Sequence, residues 1–224
     1  MIYRIVKRCF DFFCALLALI VLSPIFLLIA IGILISDWGP IFYKANRIGK
    51  GNKKFRMYKF RSMRVAKAAN EASLRPDEDR IFPFGHFIRK AKIDELPQFI
   101  NILNGTMSIV GPRPVAEDQF EMFRKGKWNE AAKVPVGLSG PAALYDYIYG
   151  DQFTDEAEYM EMVYPTRREL EYTYVQKAGI FYDLKMIVYT VICICYTLVG
   201  KECTWILNEL KADAEASANE NEKR

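Results

Sequence analysis

The sequence predicts an α/β, helix-rich fold in which a single domain is attached to a membrane through its N-terminal segment. Residues 12–36 form a run of 25 residues without a charge, which is long enough to reach through a bilayer. Two short β-rich stretches, residues 41–43 and 55–60, flank a glycine-containing turn and predict a small β-hairpin. Apolar side chains at helical spacing in residues 96–103 predict an amphipathic helix.

Composition excludes several classes of protein. The 224 residues carry 31 Lys and Arg against 27 Asp and Glu, so the chain is only mildly basic. The five cysteines form no CxxC pair, which argues against a disulfide framework or a zinc site and fits a reducing compartment. The single histidine, His86, excludes a His-rich metal site, and its neighbours Phe84 and Phe87 favour a packing role.

The apolar run has two features that argue against a simple transmembrane helix. Ser23 and Pro24 stand at its midpoint, where proline removes a helical hydrogen bond and a serine hydroxyl can satisfy part of the freed backbone. Both flanks are basic, and residues 44–67 alone hold ten Lys and Arg with no acidic residue. Both flanks obey the positive-inside rule only if both are cytoplasmic, which favours a re-entrant helix. An ordinary single-pass helix with a tolerated proline stays open.

The predicted hairpin is strongly basic. Its turn is the Gly49-Lys50-Gly51-Asn52 sequence, and its basic side chains indicate an anionic partner. Acidic lipid headgroups are the simplest such partner, at roughly 1 kcal/mol for each basic residue near the surface. Nucleic acid is not expected, because the basic run adjoins a membrane segment and lacks a recognisable binding module.

The stretch from residue 89 to residue 114 carries the predicted chemistry. Its apolar stripe consists of Leu96, Phe99, Ile100 and Leu103. A helix is therefore expected to begin near Asp94, with Pro97 tolerated in its first turn and Gly105 ending it. A helix start favours ionised carboxylates and binds phosphate, so Asp94 and Glu95 stand at a position suited to phosphate chemistry. The simpler alternative is that Asp94 caps the helix and Glu95 lies on its first turn.

Arginine placement favours the phosphate interpretation. Arg113 stands between Pro112 and Pro114, which restrict the backbone on both sides of it. Arg89 and Lys90 add positive charge just before the carboxylates, and a guanidinium group matches phosphate oxygens in a bidentate manner.

Other segments are assigned by composition. A polar surface connection is expected at residues 66–79, a helix with a charged face at 115–132, and a solvated helix or loop at 146–161. Residues 186–199 are uncharged but too short to span comfortably, so an interfacial or core helix is expected there.

Three parts are expected along the chain. Residues 1–38 would form the membrane segment, residues 39–211 the domain that carries the chemistry, and residues 212–224 a disordered tail that lacks apolar anchors.

Four motifs in this order resemble those of one family. They are KFRSM at residues 59–63, IDELPQ at 93–98, N-x-L-x-G-x-M-S at 101–108 and VGPRP at 110–114. The chain thereby resembles the bacterial sugar transferases, the monotopic phosphoglycosyl transferases that start glycan assembly on a polyprenyl phosphate. The similarity runs from Lys7 to about Lys185, including Asp183-Leu184-Lys185.

The resemblance implies transfer of a sugar-1-phosphate from a UDP-sugar to undecaprenyl phosphate, with release of UMP. It implies Asp94 as the nucleophile, Mg²⁺ held by Asp94 or Glu95, and phosphate contacts from Arg89 and Arg113. Lys59 and Arg61, inside KFRSM, would join the active site.

It also implies a re-entrant helix broken at Ser23 and Pro24, and contact with lipids at the cytoplasmic face of a bacterial inner membrane. A homodimer stays open.

One loop departs from the family pattern. At residues 134–141, Pro135 and Val136 stand where Arg and Pro are expected, and Pro141 replaces a bulky residue. The donor contacts of that loop are therefore in question. Two alternatives follow, namely a family member that has lost catalysis and a scaffold that binds anionic lipids.

Overall fold

The computed structural model describes residues 2–65 and 78–222, and helices dominate these parts of the chain. The α-helices are α1 (Ile2–Val21), α2 (Ser23–Ser36), α3 (Pro83–Lys90), α4 (Gln98–Leu103), α5 (Phe120–Arg124), α6 (Pro141–Ile148), α7 (Glu156–Met162), α8 (Tyr164–Lys177), α9 (Ile180–Leu198) and α10 (Thr204–Glu222). The strands are β1 (Phe42–Ile48), β2 (Lys54–Phe60), β3 (Ser108–Val110) and β4 (Gly137–Ser139). The helix-rich prediction is confirmed.

The predicted break in the apolar run is present. Helices α1 and α2 meet at Leu22 with a bend of 60°. Pro24 lies in the first turn of α2, where a missing N–H costs little, and the Ser23 hydroxyl donates to the Ile20 carbonyl at 2.8 Å. The route of this bent pair through a membrane stays a prediction.

Helix α1 is fixed to the rest of the molecule by its basic face. Arg8 donates to the carbonyls of Ile102 and Leu103 at 2.6 and 2.7 Å, and so caps the C-terminal end of α4. Asp11 accepts a hydrogen bond from the Ile109 backbone N–H at 3.0 Å. The apolar N-terminal segment is thereby packed directly against the stretch that carries the predicted chemistry.

The predicted β-hairpin is confirmed. Strands β1 and β2 pair antiparallel from Phe42 opposite Phe60 to Ile48 opposite Lys54. A 3₁₀ turn at Lys50–Asn52 joins them, with Gly51 in the left-handed region at a φ of 66°. Phe60 is buried and stacks on Phe42, so the end of the hairpin belongs to the core beside α2.

A second, parallel sheet was not predicted from the sequence. Ser108 of β3 pairs with Gly137 of β4, and Val110 pairs with Ser139. The strands approach so closely that a Cβ atom at Gly137 would collide with the backbone of Gly111. Three-residue strands give too short an alternation of side chains to be recognised in a sequence.

The helix predicted to begin near Asp94 begins later. Residues Ile93–Glu95 form a 3₁₀ turn, and α4 starts only at Gln98. Lys92 adopts a left-handed conformation with a φ of 54°, which redirects the chain just before the turn. Asp94 therefore does not act as an N-cap, and the capping interpretation of this carboxylate is wrong.

The C-terminal region differs from the prediction of a disordered tail at residues 212–224. Helix α10 continues to Glu222. Ala214 and Ser217 are buried, and Lys177 of α8 pairs with Asp213 at 2.7 Å. Alanine and glutamate have high helix propensity, so contact with α8 is sufficient to order a segment that has no large apolar side chain.

Helix α9 is longer than the 14 uncharged residues at 186–199. It has 19 residues and is, within the described parts of the chain, the one unbroken helix whose length and composition allow it to cross a membrane. Its first turns include Asp183 and Lys185, and Lys185 bounded the uncharged run in the sequence; their charges are paired with Lys7 and Glu209. The length argument against a span is therefore wrong.

The remaining segments are less regular than predicted. Within residues 115–132, α5 is followed by a 3₁₀ segment, Gly126–Lys133. The expected solvated segment at residues 146–161 contains part of α6 and most of α7, and buries Tyr159. The predicted surface connection at residues 66–79 falls outside the described residues as far as residue 77, and a 3₁₀ turn follows at Glu78–Arg80.

Candidate active site

Asp94 and Glu95 lie together in the 3₁₀ turn, and both are buried, with 5% and 8% of their surface exposed. Arg113 approaches Glu95 with both terminal nitrogens, which donate to its two carboxylate oxygens at 3.2 and 3.3 Å. Lys59, from β2, donates to Glu95 Oε1 at 3.0 Å. Four residues that the sequence spreads over positions 59–113 thus converge on one turn.

The backbone around Arg113 is held from three directions. The N–H of Gly111 donates to the Ser139 carbonyl at 2.9 Å, and the N–H of Gly137 donates to the Pro112 carbonyl at 2.7 Å. Arg124 donates from Nη2 to the carbonyl of Arg113 itself at 3.0 Å. The guanidinium group of Arg113 therefore projects from a segment with little freedom to move.

Arg124 is itself fixed by a buried ion pair with Glu171 of α8, in which each side chain is 1% exposed. Sequence reasoning missed this pair because Arg124 and Glu171 are separated by 47 residues and neither stands in a recognisable motif. A buried ion pair adds little net stability, but this one fixes the side chain that donates to the Arg113 carbonyl.

The two carboxylates have opposite electrostatic environments. Burial raises the pKa of Asp94, and the adjacent Glu95 charge adds to this, while Lys59 and Arg89 oppose it. Burial also acts to raise the pKa of Glu95, but Arg113, Lys59 and Lys92 together outweigh it and hold that pKa well below its usual range. Glu95 is therefore a fixed anion, whereas Asp94 is the more basic of the two groups when ionised.

Two further basic residues lie near the carboxylates. Arg89, predicted as a phosphate contact, acts to lower the pKa of Asp94 through its positive charge. It donates a hydrogen bond to Ser62 Oγ at 3.4 Å. Lys92 was not predicted as a site residue, yet its positive charge acts to lower the pKa of both carboxylates. It forms an ion pair with Asp151 at 2.7 Å. Its only signal in the sequence is its position next to the acidic pair.

Arg61 does not join this group. Its side chain is 4% exposed, and it donates to the Pro40 carbonyl at 2.6 Å and to both the carboxylate and the carbonyl of Asp37. A buried guanidinium group needs hydrogen-bond acceptors for its N–H groups, and Arg61 finds them at the end of α2. Arg61 therefore lies at the end of α2 and not beside the acidic turn, and its contact with a substrate phosphate stays a prediction.

A cavity of about 240 Å³ opens beside the turn. Lys92, Glu95, Arg113 and Asp146 form its charged end. Its other walls are mainly apolar and come from the α4 region, β3, β4, α6 and α9: Leu96, Phe99, Ile109, Leu138, Ala143, Leu144, Ile187, Val191 and Ile194. The site therefore has a charged part and an apolar part in direct contact.

The loop that departs from the family pattern has a structural role. Gly137, Leu138 and Ser139 form β4, and Pro141 begins α6. Leu138 and Ser139 line the cavity. The altered residues Pro135 and Val136 precede the strand, and Val136 is buried in the core beneath the hairpin.

The residues present fit a magnesium ion that receives most of its ligands from a substrate. Among the described residues there is no group of three or more side chains that could hold a metal by themselves. Both oxygens of Glu95 already accept hydrogen bonds, whereas the Asp94 carboxylate accepts none from any described residue. Mg²⁺ is commonly held by one or two carboxylates together with phosphate oxygens and water, so Asp94 is the suitable protein ligand.

Several known proteins have sequences similar to this chain. The chain is 35% identical over 193 residues to the UDP-glucose:undecaprenyl-phosphate glucose-1-phosphate transferase of Escherichia coli K12, covering 84% of this chain and 40% of that protein. It is 37% identical over 205 residues to the exopolysaccharide production protein ExoY of Sinorhizobium fredii, covering 84% of this chain and 85% of that protein.

A shorter match is 44% identical over 124 residues to the UDP-N-acetylgalactosamine-undecaprenyl-phosphate N-acetylgalactosaminephosphotransferase of Aeromonas hydrophila, covering 54% of this chain and 29% of that protein. The chain spans about two fifths of the length of the Escherichia coli relative.

The sequence profile described as bacterial sugar transferase matches residues 2–197, which include α1, the hairpin, the acidic turn and α9. The matched region thus contains every site residue described above. Together with relatives above 30% identity over most of its length, this match shows that the chain belongs to the bacterial sugar transferase family.

Proposed function

We propose that this protein transfers a sugar-1-phosphate from a UDP-sugar to undecaprenyl phosphate, giving undecaprenyl-diphosphate-sugar and UMP. The names of its relatives support the reaction class, and the observation that carries the proposal is the contrast between Asp94 and Glu95. One carboxylate is neutralised by Arg113 and Lys59, and the other is buried without a hydrogen bond from a described residue. A carboxylate without a protein hydrogen bond, placed beside several cations, is suited to attack a phosphorus atom.

In the first step, an oxygen of Asp94 attacks the phosphorus that bears the sugar. The bond from this phosphorus to the oxygen bridging the two phosphates breaks, and UMP leaves with the electron pair. Arg113, Lys92 and Arg89 contribute positive charge where negative charge develops on the phosphate oxygens. A magnesium ion held through Asp94, whose carboxylate accepts no hydrogen bond from a described residue, would supply further neutralisation of the diphosphate charge.

In the second step, a phosphate oxygen of undecaprenyl phosphate attacks the same phosphorus. The bond to Asp94 breaks, the carboxylate is restored, and the lipid diphosphate sugar is released. A covalent intermediate divides one difficult displacement into two easier ones. Glu95 stays ionised through both steps because its basic partners hold its pKa low.

The acceptor requires a location at a membrane surface. Helices α1, α2 and α9 expose large apolar side chains, and Trp38 at the end of α2 is 85% exposed. Exposed apolar faces of this extent indicate a lipid contact, and a tryptophan is typical of the interface. The bent α1–α2 pair and the basic hairpin would then place the acidic turn at the cytoplasmic face of the inner membrane.

The test uses purified full-length protein in a membrane mimetic with Mg²⁺, undecaprenyl phosphate and a panel of UDP-sugars, and it measures released UMP. We expect one or a few UDP-sugars to give lipid-dependent turnover. Asp118→Asn, at an exposed carboxylate away from the acidic turn, serves as the control and should match wild type. Lipid binding without UMP from any sugar would overturn the proposal and favour a scaffold or an inactive family member.

A further inference from the structure

We infer that the apolar part of the cavity beside Glu95 and Arg113 is the subsite for the first isoprene units of the lipid acceptor. This inference rests on the proposed function and adds a location for one of its two substrates. It assigns the α9 wall of the cavity to acceptor binding and leaves the nucleotide and sugar of the donor outside it.

The first support is the composition of the walls. Ile187, Val191 and Ile194 follow one another at i, i+4 and i+7 and so form one apolar stripe of α9. Leu138 of β4 and Phe99 of α4 also line the cavity. Apolar walls stabilise a hydrocarbon chain by removing it from water, whereas a hydroxyl-rich sugar would lose hydrogen bonds there.

The second support comes from the polar groups of the same cavity. Ser139 Oγ and Thr190 Oγ1 are hydrogen bonded to each other, and Thr190 also donates to the Met186 carbonyl at 2.7 Å. Lys92 is paired with Asp151, and Arg113 is paired with Glu95. Polar groups that satisfy one another contribute little to binding a neutral polar ligand, but Lys92 and Arg113 remain attractive to a phosphate.

The third support is the position of the opening. Val191 lines the cavity and is nevertheless 55% exposed, so the cavity reaches the outer surface of α9. Helix α9 has the length and composition of a membrane helix, and its exposed neighbours Leu184 and Val188 are also apolar. An isoprenoid chain could therefore enter from the bilayer while its phosphate reaches Arg113 and Lys92.

These observations fit an amphiphile with an anionic head and an apolar chain. The charged end of the cavity includes Glu95, which directly precedes the apolar wall residue Leu96. A lipid phosphate held at this end would lie beside the acidic turn, where the sugar phosphate of the intermediate is attached. The cavity thus links the chain of the acceptor to the place where its phosphate must react.

The test separates the two half-reactions with Val191→Trp, which fills the opening, and Val188→Trp, a neighbouring exposed position of α9 that does not line the cavity. Without lipid, both variants should release UMP in the same burst of about one equivalent as wild type. With lipid, Val191→Trp should raise the KM for undecaprenyl phosphate about tenfold, which corresponds to the loss of about two buried methylene groups. Val188→Trp should leave that KM unchanged.

Two results would decide against the inference, and a third would decide against the function on which it rests. A higher KM for the UDP-sugar or a smaller burst in Val191→Trp would assign the cavity to the donor. Equal defects in both variants would indicate a general effect on the attachment of α9 to the membrane. Absence of UMP with wild type would instead contradict the proposed function itself.

A direct binding measurement covers the case in which Val191→Trp does not fold. A polyprenyl phosphate that carries a photoreactive group in its first isoprene units should crosslink to peptides of α9 or α4 in the wild-type protein. The smaller change Val191→Ser should lower the crosslinking yield, while Val188→Ser should not. Crosslinks confined to α1 and α2 would place the chain elsewhere and overturn the inference.

Discussion

Two buried acidic groups show how similar burial serves different purposes. Asp183 of α9 is 8% exposed and accepts hydrogen bonds from Lys7 at 2.7 Å and from Tyr3 and Tyr174 at 2.8 Å each. Asp94 is 5% exposed and accepts no hydrogen bond from any described residue. A carboxylate with every partner in place holds structure together, whereas one without partners is available for chemistry.

The Asp183 cluster is connected through the backbone to the segment that contacts the acidic turn. The Tyr174 hydroxyl lies 3.1 Å from the carbonyl of Val110, and Val110 precedes the segment that holds Arg113. The Asp183 cluster therefore ties α1, α8 and α9 to the start of the Arg113 segment. The comparison predicts that changes at Asp94 affect the reaction alone, and that changes at Asp183 affect the folded state first.

Asp94→Asn should have the largest effect on the reaction. An amide cannot form the acyl phosphate, so turnover should fall by at least about 10³-fold, as when other nucleophiles are removed. Intact-mass measurement after mixing with UDP-sugar should show no added sugar phosphate, and thermal stability should stay at the wild-type value or rise. An added sugar phosphate on this variant would show that another residue is the nucleophile.

Asp183→Asn should mainly lower stability. Removing one charge leaves Lys7 buried without its ion pair, a change that typically costs about 3–5 kcal/mol. Thermal unfolding in a membrane mimetic measures the loss. The matched control Asp213→Asn breaks the more exposed pair with Lys177 and should cost about 1 kcal/mol or less. If the two variants lost equal stability, the Asp183 cluster would contribute no more than an ordinary surface ion pair.

Arg113→Lys should lower kcat by about 10²-fold, which is the usual effect of losing one charge-stabilising donor. Lysine keeps the charge but cannot contact both oxygens of Glu95, so the position of the cation is lost. Steady-state kinetics with saturating substrates measures the change, and Arg56→Lys, at an exposed position of the hairpin, is the control. A variant with wild-type kcat would show that Arg113 only neutralises Glu95.

Lys59→Met should have the smallest effect of the four variants. We expect it to shift the pH dependence of the reaction. Lys59 lowers the pKa of Asp94, so its removal raises that pKa further. Because Asp94, as the proposed nucleophile, must be ionised to attack, the acid limb of kcat/KM should move to higher pH. Lys90→Met removes an exposed charge that does not act on Asp94 and should leave the limb in place. If the acid limb of kcat/KM did not move in Lys59→Met, ionisation of Asp94 would not control that limb.

Features with a local cause were predictable from the sequence. The break at Ser23 and Pro24 follows from proline chemistry, and the hairpin follows from two β-rich stretches around a glycine turn. The contact of Arg113 and Lys59 with Glu95 was expected only in outline, from the accumulation of charge and the resemblance to a family.

Features that depend on distant partners were not predictable. The roles of Arg124 and Glu171 become visible only when α5 and α8 are placed together. The contact of Arg61 with Asp37 was not foreseen because the two residues lie 24 positions apart in the sequence. The order of residues 212–222 likewise depends on contact with α8, which local composition does not reveal.

The Arg8 cap on α4 has a consequence for biosynthesis. Arg8 leaves the ribosome about 94 residues before the carbonyls that it binds, and in the proposed location the apolar helix around it would meet the membrane first. The helix that follows the acidic turn would then be completed against a segment already placed at the bilayer. A chain shortened by its first 21 residues to make it water-soluble would lose this cap together with Lys7 and Asp11, and we expect it to accumulate as an inactive, protease-sensitive product.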